Sequence, residues 1–93
     1  MLAHLCLAVA DLERLAATAD LACAITVEAL LGTEKVLEPE LHAIRPHPGQ
    51  GASAANMLAV LKGSGLTGHF QEEEAPRVQD AYSVRCAPQV AGA

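Results

Sequence analysis

Ninety-three residues with a net charge of −5 allow at most one small domain. Apolar residues make up 52% of the chain but aromatics only 2%, namely Phe70 and Tyr82, so Leu, Ala and Val must build any core. Lys and Arg number six and are scattered, which excludes a basic nucleic-acid face, and acidic residues break every apolar run long enough to cross a membrane.

Residues 2–31 read as one long helix or two abutting ones. Leu2, Leu5, Val9, Leu12, Ala16, Ala19, Cys23, Thr26 and Leu30 recur at three- and four-residue steps. Leu7, Leu15, Leu21, Ile25, Val27 and Leu31 widen this stripe until the second half is apolar nearly all round, the pattern of a helix buried in a large helical protein. Gly32 stands where a C-terminal glycine cap belongs. No capping side chain precedes Leu2, so the chain is expected to begin inside a helix, as a fragment would.

Residues 33–48 carry Pro39, Pro46 and Pro48, each of which disfavours helix at the residue before it, and are expected to be a polar connection. Pro48 then opens a second helix whose apolar side is Met57, Leu58, Val60 and Leu61 and which Gly63 ends. Residues 64–77, with Glu72-Glu73-Glu74, are expected to form a solvated surface loop. Pro88 begins a further short helix. Nothing alternates as a strand would, so the class is all-α: a long N-terminal helix, a shorter one and loops. Residues 1–93 form a single partial domain whose apolar faces expect partner surface.

The stretch Gln79-Asp80-Ala81-Tyr82-Ser83-Val84-Arg85-Cys86-Ala87-Pro88-Gln89-Val90 concentrates polar chemistry. Arg85 offers a planar fork for a carboxylate, and Tyr82 a phenol that can pass a proton. Pro88 favours a turn leading into a new helix, which keeps Tyr82 and Arg85 side by side. On residue chemistry alone the pair reads more readily as a surface hydrogen bond and a rim charge than as a catalytic site.

This stretch resembles the motif of the aromatic amino acid (histidine and tyrosine) ammonia-lyase family. Glu28-Ala29-Leu30-Leu31-Gly32-Thr33 and Arg45-Pro46-His47-Pro48-Gly49-Gln50 follow the same family's pattern in order and spacing. The resemblance implies an internal segment of a large helical enzyme that eliminates ammonia from an L-amino acid, histidine first and tyrosine next. It further implies that Tyr82 is catalytic, and that Arg85 and Gln79 bind substrate, Arg85 through the carboxylate. Family members are homotetramers whose sites combine several subunits, so the implied partners are the rest of the lyase or further copies of the chain.

The family's electrophile, a methylidene-imidazolone made from an internal Ala-Ser-Gly triad, has no source in this chain. Ala52-Ser53-Ala54 is a near-match, but it lies within the second helix and ends in Ala where the cyclisation needs the freedom of Gly. The isolated chain is therefore expected to be inactive and to hold no cofactor of its own. The alternative from another class is a non-catalytic helical assembly module derived from the lyase fold.

Other candidates carry less. His42 and His47, with His4 and His69, lack cysteine or acidic residues at metal-ligand spacing, so no metal is expected. Cys86 beside Arg85 is a candidate low-pKa thiol, against simple packing. Cys6, Cys23 and Cys86 are odd in number and widely spaced, as in a reduced cytoplasmic protein, and no cationic leader suggests a secretory signal.

Overall fold

A computed structural model describes residues 1–67 and 79–93. They form α1 (Leu2–Ala29), a 3-10 helix (Glu34–Leu37), α2 (Pro39–Ala43), α3 (Pro48–Leu61), α4 (Tyr82–Arg85) and α5 (Ala87–Gly92). Among the described residues there is no strand, and the all-α expectation holds. The Glu72-Glu73-Glu74 run and most of the expected surface loop lie outside them.

The sharp end of α1 follows from backbone bonding. Gly32 N–H donates to the Val27 carbonyl at 2.8 Å and Leu31 N–H to that of Glu28 at 3.0 Å, which satisfies two carbonyls that the helix leaves open. The left-handed position of this closure belongs to Leu31, at φ 54°, rather than to the expected Gly32. Gly32 is needed for a different reason. A Cβ there would stand 3.0 Å from the Asp80 carboxylate and 3.1 Å from the Val27 carbonyl.

The connection from 33 to 48 is more ordered than the sequence reading allowed. Pro39 sits at the first position of α2, where its missing N–H costs no helical bond, after Glu38 in extended backbone. Proline here starts a helix instead of preventing one. Pro48 does the same for α3, and Gly63 ends that helix at φ 86° as expected.

α3 is the hub, packed along α1 and α5 and flanked by α2 and the 3-10 helix. Its N-terminal turn crosses the end of α5 at Gly49 and Gly92, so closely that a Cβ on either would overlap the other strand of backbone. The core gathers Ala24 and Val27 from α1, Leu37, Met57 and Leu61, and Val84 from α4. Burial of each larger side chain contributes roughly 1.5–3 kcal/mol.

The face α1 buries is not the expected stripe. Its buried residues are Asp20, Ala24 and Val27, while Leu2, Leu5, Leu12 and Leu30 of the stripe are exposed. A buried carboxylate decides the matter. Asp20 accepts from Ser53 Oγ at 2.5 Å and from Asn56 Nδ2 at 2.9 Å, which locks α1 to α3. The N-terminal turns of α1 run clear of the other described elements, with Leu5 at 60% and Leu12 at 62% exposure. Among the described residues no helix is long and apolar enough to cross a membrane.

Candidate functional site

The polar segment folds as a single helical turn, α4, that hands over at Cys86 to α5. Pro88 occupies the first turn of α5, and its ring is fully buried. The three-residue spacing puts Tyr82 and Arg85 on one side of α4, and the Arg85 guanidinium carbon lies 5.7 Å from the centre of the Tyr82 ring. Val84, one residue before Arg85, anchors the turn in the core.

Arg85 is half-buried, and its Nε donates to the Asp80 carbonyl at 2.9 Å. Its terminal nitrogens make no hydrogen bond within the described residues. A carboxylate approaching Arg85 therefore meets the open end of the fork. The Tyr82 ring is 72% exposed, and its phenol faces no partner among the described residues. Gln79 is exposed, with no side-chain hydrogen bond to Tyr82 or Arg85. The chain thus assembles two of the three expected residues and leaves the third apart.

Sequence reasoning passed over Asp80. Its Oδ2 accepts the Thr33 N–H at 2.8 Å, tying the exit of α1 to the segment that carries Tyr82 and Arg85. No local sequence pattern marks this contact, since the two residues lie 47 positions apart.

Ser53, the centre of the near-match triad, lies in α3 with its hydroxyl spent on Asp20. That environment is helical and hydrogen-bonded, and does not fit a backbone cyclisation. His42 is buried; its Nδ1 pairs with Gln50 Nε2 at 2.8 Å, while its Nε2 has no partner among the described residues. His4 and His47 are exposed, and no group of three or more His, Cys, Asp or Glu among the described residues could hold a metal ion. Burial pushes the Cys23 thiol up, with the Asp20 carboxylate and then Cys86 adding to the shift. A groove of about 910 Å³ runs between Leu37, His42, Ala54, Leu58 and Leu61, but residues 79–93 contribute nothing to it. It is separate from the Tyr82–Arg85 surface.

Residues 1–93 match the family model for aromatic amino acid lyase. The histidine ammonia-lyase of Streptomyces coelicolor (strain ATCC BAA-471 / A3(2) / M145) is 74% identical over all 93 residues, which cover 18% of its length. That of Streptomyces griseus is 70% identical over the same span and again 18% of its length. That of Gloeobacter violaceus (strain ATCC 29082 / PCC 7421) is 53% identical over 81 residues, or 87% of this chain and 15% of the relative. No solved structure matches. The chain therefore spans under a fifth of the relatives it resembles, and over its whole length it belongs to the aromatic amino acid lyase family.

Proposed function

We propose that these residues are the substrate-carboxylate and proton-transfer segment of an ammonia-lyase acting on L-histidine, with L-tyrosine the next candidate. The observation that carries this reading is the Tyr82–Arg85 pair, an exposed phenol beside a guanidinium whose outer nitrogens bond nothing among the described residues. Arg85 holds the amino acid's carboxylate end-on, because its Nε is already committed to Asp80. Tyr82 exchanges a proton with the substrate at the phenol oxygen. Gln79 adds an amide contact to bound substrate, reaching it from the exposed edge of the segment.

The family's electrophile activates the amino acid toward loss of ammonia, and another part of the enzyme supplies it. Within this chain Ser53 is unavailable for that purpose, being helical and bonded to Asp20. The isolated chain accordingly turns over no amino acid. The remaining lyase, in one subunit or several, completes the site, and the cytoplasm is the expected compartment for a chain with three free thiols.

The test is a pair of variants in a full-length lyase carrying this segment. Tyr82→Phe should lower kcat by orders of magnitude with KM nearly unchanged, and Arg85→Ala should chiefly raise KM for L-histidine. The opposite ranking refutes the roles. Turnover by the isolated chain refutes the dependence on an outside electrophile.

A second reading rests on the exposed leucines of α1, which suit a helical assembly module without catalysis. It predicts that neither variant alters any activity, and that the purified chain self-associates.

A further inference from the structure

We propose that Asp80 is a positioning residue for substrate binding, a latch that sets the Arg85 guanidinium against the end of α1. The inference rests on the carboxylate-binding role given to Arg85 above.

The latch has two halves on one residue. The Asp80 side chain accepts the Thr33 backbone N–H at 2.8 Å, across 47 positions of chain. The Asp80 main-chain carbonyl accepts Arg85 Nε at 2.9 Å, five positions along. The first bond fixes where the Asp80 backbone lies, and the second transfers that position to the guanidinium. Both bonds involve a charged group, the Asp80 carboxylate in one and the Arg85 guanidinium in the other, and such bonds are stronger than neutral ones.

The end of α1 is shaped to receive it. Leu31 takes the left-handed conformation at φ 54°, which for a non-glycine residue is unfavourable and turns the chain sharply after Leu30. That turn presents the Thr33 N–H to Asp80. Gly32, next to it, is buried and leaves room: a Cβ there would lie 3.0 Å from Asp80 Oδ2. Thr33 closes the arrangement by capping the following 3-10 helix with its hydroxyl, leaving its own N–H for Asp80.

The consequence for chemistry is directional. With Nε held, the guanidinium plane is fixed and its two terminal nitrogens are pre-aligned for a carboxylate. Misplacement of a binding group by an ångström costs on the order of a hundredfold in such sites. Asp80 touches no substrate atom in this scheme and acts only through Arg85.

The experiment uses a full-length lyase in which these 93 residues replace the matching segment of the 74% identical Streptomyces coelicolor enzyme. KM and kcat for L-histidine, and Tm, are measured for Asp80→Ala, Asp80→Asn, Arg85→Ala and the Asp80→Ala/Arg85→Ala double variant. Asp80→Ala should raise KM roughly 10- to 100-fold with kcat changed far less. Asp80→Asn keeps an oxygen for the Thr33 N–H and should restore most of the affinity. On the Arg85→Ala background Asp80→Ala should add nothing to KM, since the group it positions is gone.

An additive rise in KM in the double variant overturns the latch, as does a fall in Tm with KM unchanged. If Asp80→Ala does not assemble, Gly32→Ala crowds the same carboxylate from the other side and is judged by the same criterion. If Arg85→Ala itself leaves KM unchanged, the carboxylate role falls and the latch with it. A raised KM in Arg85→Ala with none in Asp80→Ala removes the latch alone.

Discussion

Ser53→Ala distinguishes a structural serine from an electrophile precursor, and its cost follows from the contacts of Asp20. Ser53 is 5% exposed and Asp20 7%, and the hydroxyl donates to the carboxylate at 2.5 Å. Removing a hydrogen bond to a charged acceptor costs roughly 1.5–3 kcal/mol. Asp20 keeps its bond from Asn56 Nδ2 in the variant, so the carboxylate is not stripped bare and the upper end of that range is not reached by desolvation. The loss falls on the α1–α3 contact, since that bond joins residues 33 positions apart. Native-state hydrogen exchange in the full-length enzyme reads it directly. Amides in the α1 turn around Asp20 and in α3 should exchange roughly 10- to 50-fold faster, the rate equivalent of the lower part of that range at about 1.4 kcal/mol per decade. On an Asp20→Ala background the further effect of Ser53→Ala should nearly vanish. Turnover by the folded variant should stay within about threefold of the parent, whereas loss of an electrophile precursor would cost many decades. Unchanged exchange, or turnover abolished with exchange intact, refutes the assignment.

Gly49→Ala should lower Tm through overpacking worth about 1–3 kcal/mol, because its Cβ would overlap the Gly92 backbone; an unchanged Tm means that α3 and α5 do not cross there. Thiol alkylation followed by mass spectrometry should label exposed Cys6 first and Cys23 last, since burial and the Asp20 charge disfavour the Cys23 thiolate; equal rates contradict that packing. The purified chain should self-associate in analytical ultracentrifugation through the leucines of α1, and Leu5→Glu with Leu12→Glu should return it to a monomer; a monomeric parent removes that prediction.

The helices that the sequence made legible were those with clear ends. Pro48 and Gly63 bracket α3, and Pro88 marks α5, each through a backbone property of the residue itself. α2 was missed because Pro39 was weighed as a breaker, although at a first helical position its missing N–H is no loss. The packed face of α1 was missed for a different reason. Where a helix is apolar almost all round, periodicity carries little directional information, and the face is chosen by the one buried polar group. Asp20 looked like an interruption of the stripe, yet with donors from Ser53 and Asn56 it marks the contact. The pairing of Tyr82 with Arg85 was readable from their spacing alone. Asp80 was not, because its partner Thr33 lies 47 residues away and no local pattern connects them.

The two ends of α1 meet different demands, and that separates their effects. Its C-terminal end is bonded into the segment that carries Arg85, through Gly32, Thr33 and Asp80. Among the described residues its N-terminal turns meet no other element, and Leu2 at 75% and Leu5 at 60% exposure leave apolar surface that water covers poorly. Burying each such leucine contributes about 1.5–3 kcal/mol, so this end can supply association energy without touching the site geometry. Substitutions at Leu5 or Leu12 should then weaken assembly while leaving KM for L-histidine within about twofold in whatever enzyme still assembles, as independent sites do when they are far apart. Substitutions at Gly32 or Asp80 should do the reverse. A stripe variant that raised KM in the assembled enzyme would show that α1 transmits its packing to Arg85 as a rigid lever, and would make the helix part of the binding apparatus.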